Sequence, residues 1–187
     1  MIYYTADLHL RDQAIFDKCK RPFKNLKEME KAIIANWNAK VRAGDTVYVL
    51  GDIISEDPSG IEAFRGLNGH KCLIVGNHDH AVLSAIKDSD IFESIGFIDV
   101  IEDGGHKVCL CHYPLMDWME FNRGGYLIYG HVHNKTEVNG RAYKQMKEYF
   151  SDKPAFNCGV DVNGFAPVTL EEMIRSKEEE KHDPYIH

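Results

Sequence analysis

The stretch Cys72-Leu73-Ile74-Val75-Gly76-Asn77-His78-Asp79-His80 (CLIVGNHDH, residues 72–80) decides how this chain is read. Four apolar residues, typical of a buried strand, run straight into an amide, two imidazoles and a carboxylate. Such a segment delivers ligand-type side chains from the hydrophobic core to its rim. The same move recurs four times along the chain. IYYTA (2–6) leads to Asp7 and His9, VYVLG (47–51) to Asp52, VCLC (108–111) to His112, and LIYG (127–130) to His131 and His133.

The segments around these strands define the fold class. A strand at 2–5 precedes a helix over 26–42, where Leu26, Met29, Ile33, Trp37 and Val41 keep helical spacing. Asn25 with Glu28 forms a capping box at its start, and Gly44 is the expected stop. A strand at 46–50, a short helix at 60–67 begun by Ser59 and Glu62, the opening strand and a helix near 81–87 follow. This βαβαβ order predicts a parallel sheet. In the second half FIDVI (97–101) and KVCLC (107–111) flank Glu102-Asp103-Gly104-Gly105-His106, a hairpin turn. YLIY (126–129) and AFNCG (155–159) are further strands, and their turn-like links predict antiparallel pairing. Thr169 and Glu172 cap a last helix, which runs into a charged tail over 175–187 expected to fray. The whole is one α/β domain over 1–187, with two sheets packed face to face.

Composition narrows the function classes. The chain has 187 residues, 44% hydrophobic and 27% charged, enough for one domain with a substantial core. No apolar run approaches the ~20 residues of a membrane span, and the start lacks the charged and apolar regions of a signal peptide. A net charge of −7 argues against an extended nucleic-acid surface. The local exception is 11–27, with Arg11, Lys18, Lys20, Arg21, Lys24 and Lys27, either a solvated loop and helix start or a phosphate-attracting rim. The cysteines number five, and Cys109 and Cys111 share one strand face, which suits reduced thiols in a cytoplasmic protein.

Ligands in open α/β sheets bind at the carboxyl ends of strands. If the five strands lie side by side, Asp7, His9, Asp52, Asn77, His78, His112, His131 and His133 converge there. This nitrogen and oxygen set, free of thiolates, suits Mn, Fe or Zn ions rather than a structural zinc knuckle. His131-Val132-His133 and Asp7-Leu8-His9 space their ligands by two, so each pair can face one way. Asp52 has two oxygens and a central place among the strands, so it can bridge two ions. Each element alone has an ordinary reading: a loop Asp-x-His, a helix cap at Asp52, a capped turn at Asn77, a core histidine at His112. Five strand exits carrying ligand residues in succession have no such explanation.

Asp7-x-His9, Gly51-Asp52, Gly76-Asn77-His78-Asp79, His112 and Gly130-His131-Val132-His133 resemble, in order and spacing, the calcineurin-like metallophosphoesterase superfamily. FNCGVDVNGFAPVTLEEM (156–173) is similar to the closing segment of its small bacterial members. The resemblance implies a four-layer αββα sandwich of two mixed β-sheets flanked by helices. It also implies two divalent ions, with Mn favoured over Fe, Zn or Ni. One ion would take Asp7, His9, Asp52 and His133, and the other Asp52, Asn77, His112 and His131. His78 would be the catalytic histidine facing substrate, and Asp52 the bridging catalytic ligand. The implied reaction is phosphoester hydrolysis by a metal-bridging hydroxide, which coordination makes available near neutral pH. His78 would assist the leaving oxygen. Asp79 is expected to support the site from behind the ligands, and Asp79, Glu56 and Asp57 are the candidates for orienting His78.

Ser55 and Glu56 stand where protein Ser/Thr phosphatases of the superfamily carry an Asp and a phosphate-holding Arg, which argues against a protein substrate. With no insertion long enough for a cap domain, specificity falls to short loops: 11–27, 113–122, Arg123-Gly124-Gly125 and Asn134-Lys135. Arg11 is a candidate for substrate phosphate, and Trp118 and Phe121 either stack a nucleobase or anchor their loop. The expected substrate is a small or nucleotide-like phosphoester, diesters slightly favoured because a doubly metallated site with two carboxylates is only mildly positive. The alternatives are a nuclease acting on nucleic-acid ends and a catalytically silent metal-binding scaffold of the same fold.

Overall fold

The computed structural model describes residues 1–133 and 144–182. In chain order the elements are β1 (Ile2–Thr5), α1 (Gln13–Lys18), α2 (Leu26–Lys40), β2 (Thr46–Val49), β3 (His70–Ile74), α3 (Leu83–Asp88), β4 (Ser94–Gly96), β5 (Ile98–Asp103), β6 (His106–Cys111), β7 (Tyr126–Tyr129), α4 (including residues 144–150), β8 (Ala155–Asn157) and α5 (Leu170–His182). The first sheet has the order β1-β2-β3-β4 with every pair parallel, and Tyr4 adds an antiparallel bridge to Val168. The second sheet has the order β5-β6-β7-β8.

Strand periodicity divides the core into three layers. Successive side chains point to opposite faces, so Tyr3, Val47, Val49 and Leu73 join Met29, Ile33 and Trp37 of α2 on the outer face of the first sheet. Tyr4, Leu50 and Ile74 point the other way, against Val108, Leu110 and Ile128 of the second sheet. Cys109, Leu127 and Tyr129 face outward from the second sheet, onto Trp118 and Phe150. Three apolar interlayers make four layers, the αββα sandwich. The Tyr4 hydroxyl donates to Asp103 Oδ2 at 2.8 Å and ties one sheet to the other.

Several local expectations change. The β5–β6 hairpin is antiparallel around Gly104 and Gly105, both at positive φ as a two-residue primed turn requires. The pairs β6–β7 and β7–β8, expected antiparallel, are parallel. The long stretches between Cys111 and Tyr126 and between Tyr129 and Ala155 supply the crossovers that parallel pairing needs. The short helix expected over 60–67 is a 3₁₀ helix, Pro58–Gly66, capped by Asp57 through its acceptance of the Ser59 N–H at 3.0 Å, with Pro58 at its start. Helix α2 ends at Lys40, with buried Val41 already extended, rather than at Gly44. Asn25 accepts the Glu28 N–H, and Thr169 and Glu172 cap α5 reciprocally. Helix α5 carries the charged tail as far as His182. All five cysteines are free. Among the described residues no helix is long and apolar enough to cross a membrane.

Candidate metal centre

The ligand-bearing turns follow β1, β2, β3, β6 and β7, all parallel where they pair, so their carboxyl ends open onto one edge. The exits are sharp. Asp7, His9, Asp52, His131 and His133 all have positive φ, from 48° to 73°, a region non-glycine residues seldom occupy. Such strain gathers at functional sites, where the surrounding structure holds it. Glycine is needed where the turns touch. A Cβ on Gly51 would lie 2.5 Å from the Gly76 nitrogen and 2.7 Å from His112 Nδ1, and one on Gly130 would lie 2.8 Å from Asp7 Oδ2.

Four groups of metal-ligand type gather among the described residues, and two of them hold the expected ligands. Asp7, His9 and His133, all buried, bring one donor atom each to within 4.8 Å of one another, and Asp52, His112 and His131 do the same. Asp52 Oδ2 stands 3.5 Å from His9 Nε2 in the first group and 3.5 Å from His112 Nε2 in its own. Exposed Asn77 joins the second group, its Oδ1 3.1 Å from His112 Nε2. The Asp7 carboxylate also accepts the His131 N–H, at 2.8 and 3.0 Å, so the groups share a backbone tie.

Hydrogen bonds on the far side of the rings turn the free nitrogens inward. His9 Nδ1 donates to Asp12 Oδ2 at 3.3 Å, His112 Nδ1 to the Leu50 carbonyl at 2.7 Å, and His133 Nδ1 to Asp161 Oδ2 at 2.7 Å. Each bond leaves an Nε2 lone pair for a metal, the usual arrangement of ligating histidines. His9 Nε2 is buried with no hydrogen-bond partner. His112 Nε2 lies 3.1 Å from Asn77 Oδ1, 3.2 Å from His131 Nδ1 and 3.5 Å from Asp52 Oδ2, so the donor atoms of the second group crowd around it. A cation would give His9 Nε2 the partner it lacks and would suit the clustered donors at His112, so the residues fit the metal ions that the donor set calls for.

The charges lead to the same conclusion. Burial raises the Asp7 pKa, and the imidazoles of His133, His112 and His9 offset it only in part. Burial would also raise Asp52, but the His112 hydrogen bond, the charges of His112 and His9 and the His78 N–H outweigh it and hold the carboxyl at about 2. His133 is opposed by burial yet lifted to about 10 by Asp161, Cys19 and Asp7. His131 is lowered by burial and by His112. The site therefore favours positive charge between its carboxylates.

Asp79 stands behind the ligands as expected, while the acid beside His78 is none of the three candidates. Asp79, fully buried, accepts the N–H groups of Asp52 and Ile53, both at 2.9 Å, and of Gly76 at 2.8 Å, so it clamps two ligand turns together. Burial raises its pKa. The carboxylate grouped with His78 is that of Asp12. One Asp12 oxygen and one ring nitrogen each of His9 and His78 lie within 4.8 Å of one another. The His78 ring meets His9 edge-on at 4.9 Å, and the His78 backbone N–H donates to Asp52 Oδ1 at 2.9 Å. Asp57 serves the cap at Ser59 and lies 3.8 Å from Arg11. Arg11 also donates to the Ser59 hydroxyl, so its guanidinium is committed to that loop. Arg21, placed on the basic rim by sequence, is buried against Asp161. Trp118 is buried, donates to the Gly125 carbonyl at 2.8 Å and packs 4.2 Å from Phe121, so it anchors its loop. The exposed aromatic of that loop is Tyr113, 4.8 Å from the His131 ring. Asn134 and Lys135 lie outside the described residues.

Sequence reasoning missed Asp12, Arg21, Asp161 and the Leu50 carbonyl. Asp161 lies within the 156–173 stretch that carries part of the family resemblance, and Asp12 three residues past His9 has the look of a helix cap, which it also is.

A four-layer sandwich with histidines and carboxylates gathered at the strand ends defines a metal-dependent hydrolase of phosphate esters. The chain belongs to the calcineurin-like phosphoesterase family, whose model matches residues 1–169. It is 33% identical over 183 residues to an uncharacterised protein of Methanocaldococcus jannaschii, covering 96% of this chain and 93% of that one. It is 28% identical over 173 residues to the gene 66 protein of Mycobacterium phage L5, covering 76% and 82%. A crystal structure of a protein of unknown function from Aquifex aeolicus shares the fold with a TM-score of 0.70 and 27% identity, over 94% of this chain and 98% of that one.

Proposed function

We propose that the chain is a dinuclear phosphoesterase acting on a small or nucleotide-like phosphoester, with diesters slightly favoured over monoesters and manganese the favoured metal. The observation that carries this reading is the place of Asp52 Oδ2, 3.5 Å from an Nε2 of each ligand group, where one carboxylate can serve two ions. Asp7, His9, Asp52 and His133 would hold one ion, and Asp52, Asn77, His112 and His131 the other. Ions bound there would lower the pKa of a coordinated water from 15.7 to ~7 and neutralise charge on the phosphate oxygens. His78 is half-buried, its ring turned against His9 and its backbone N–H held by Asp52, which places the imidazole at the site to assist the departing oxygen. Asp79 keeps the Asp52 and Gly76 turns in register during turnover. The diester preference rests on charge: a singly charged phosphate matches a site in which two ligand carboxylates already cancel part of the metal charge.

The test is a screen of mono- and diesters against Mn²⁺, Ni²⁺, Zn²⁺ and Fe²⁺, with Asp52→Asn as the control. The expected outcome is diester turnover with Mn²⁺ that drops ~1000-fold in Asp52→Asn, matching a loss of several kcal/mol of charge stabilisation. A wild-type rate in that variant would refute the bridging role. No turnover of any ester with metal bound would return the chain to the scaffold reading.

A further inference from the structure

Arg21 lies between α1 and α2, and its side chain has no solvent exposure. Its guanidinium makes a fork to Asp161, Nε to Oδ1 at 3.0 Å and Nη2 to Oδ2 at 2.9 Å. The remaining hydrogens go elsewhere. Nη2 donates to the Asp7 carbonyl at 2.6 Å, and Nη1 donates to the Leu8 carbonyl at 2.7 Å and meets Met29 Sδ at 3.4 Å. Asp161 Oδ2, already held by Arg21, accepts the His133 Nδ1 hydrogen at 2.7 Å.

One buried cation thus contacts Asp7 directly and reaches His9 and His133 through their neighbours Leu8 and Asp161. It holds the backbone of Asp7 and of Leu8, which precedes His9, and through Asp161 it sets the ring of His133. The other group is braced by different atoms: Asp79 on the Asp52 and Gly76 turns, and the Leu50 carbonyl on His112. Among the described residues the two groups meet at Asp52, at the His131 N–H on Asp7 and at the Asp7 N–H on the Gly51 carbonyl, and His131 and His133 leave β7 on one turn. The geometry needs an arginine. A planar fork can bind a carboxylate with two parallel bonds and still reach two carbonyls, whereas a lysine ammonium is a point donor.

We infer that Arg21, acting through Asp161 and the Asp7 and Leu8 carbonyls, is the positioning residue of the Asp7–His9–His133 half-site, so that the two metal positions are braced separately and can be emptied separately. This rests on the dinuclear reading above. A plain structural staple, joining the segment after β8 to the first loop, would use the same ion pair but would leave metal affinity alone.

The deciding experiment titrates metal-free protein with Mn²⁺ and reads bound ions per chain by calorimetry and by the electron paramagnetic resonance of free Mn²⁺. Wild type is expected to bind two. Arg21→Lys and Asp161→Asn should each weaken one ion ~10–100-fold, the usual effect of losing a partner behind a metal ligand, and leave the other within about twofold. Asn77→Ala, which removes a ligand of the other group, should weaken the opposite ion, and combining it with Arg21→Lys should weaken both. Ile33→Ala, a core change remote in role, should lower the melting temperature and leave both affinities intact. Wild-type affinity for both ions in Arg21→Lys, or equal weakening of both, would overturn the inference. If Arg21→Lys does not fold, Asp161→Asn decides by the same criteria, since it keeps the shape and an acceptor for Arg21. Wild type that binds fewer than two ions would overturn the dinuclear reading, and this inference with it.

Discussion

His9 Nε2 lies 3.5 Å from Asp52 Oδ2, too far for a hydrogen bond, and both atoms are buried. An imidazole nitrogen with no partner in the core costs free energy, roughly 1–3 kcal/mol for an unsatisfied polar group. The gap is explained if a cation belongs between the two atoms. Metal should therefore stabilise the fold as well as enable turnover. Chelation is expected to lower the melting temperature, and Mn²⁺ at 100 times its Kd should restore about 2.7 kcal/mol of stability per site. The check is a thermal melt across a Mn²⁺ titration. A melting temperature indifferent to millimolar metal would count against the assigned ligands.

His78 contacts the ligand His9 but is needed by neither ligand group. Replacing it with alanine should leave metal stoichiometry at the wild-type value while lowering kcat. For an ester with a poor leaving group the loss should be ~10²–10⁴-fold, the usual range for general acid catalysis. For a p-nitrophenyl ester, whose phenolate departs with little protonation, the loss should be much smaller. Steady-state kinetics on both ester types provides the check. An equal loss on both would assign His78 to binding rather than to proton donation.

Asp79 satisfies three backbone N–H groups from two separate turns with two oxygens. Asparagine offers one oxygen and would set its own NH₂ against an N–H. Asp79→Asn should therefore cost about 1–3 kcal/mol, with the Asp52 turn loosened and kcat reduced. Denaturant unfolding of the metal-free protein measures the first effect. A variant as stable as wild type would show that the clamp contributes nothing.

The strand ends were legible because each is local: an apolar run, a glycine and a ligand residue can be read within ten positions. The capping boxes at Asn25 and Thr169 were legible for the same reason. Pairing direction was not, since antiparallel and parallel partners of β7 have the same apolar face, and only the route of the connection separates them. The left-handed turns at Asp7, His9, Asp52, His131 and His133 gave no signal, because glycine is absent from those positions and tertiary contacts impose the strain. Arg21 and Asp161 stand 140 residues apart, and each looks like an ordinary surface charge until the fold closes. Trp118 could be read as a stacking platform or as an anchor, and burial of its indole decided for the anchor.

Glu172 joins two helices. Its carboxylate takes the Lys40 ammonium at 2.8 and 2.9 Å and the Thr169 N–H at 2.9 Å, placing an acid in the first turn of α5 against a base in the last turn of α2. Both placements suit the helix dipoles. Burial would raise the Glu172 pKa, but the Lys40 hydrogen bond and the Thr169 N–H outweigh it, so the folded value lies below the unfolded one. A depressed carboxyl stabilises the fold fully above the unfolded value of about 4.3, and that contribution disappears as pH falls through the folded value. The pair is about one-third exposed, so solvent screens it and the worth is ~0.3–1 kcal/mol. Glu172→Gln keeps an acceptor for Thr169 and loses only the charge. At pH 7 it should melt about 1–4 °C below wild type. The difference should start to shrink near pH 4.3 and close below the folded pKa, and high salt at pH 7 should also narrow it. Melting curves of both proteins from pH 7 downward, with and without salt, make the comparison; a gap that stays constant with pH would assign the effect to packing at the helix junction instead of to the ion pair.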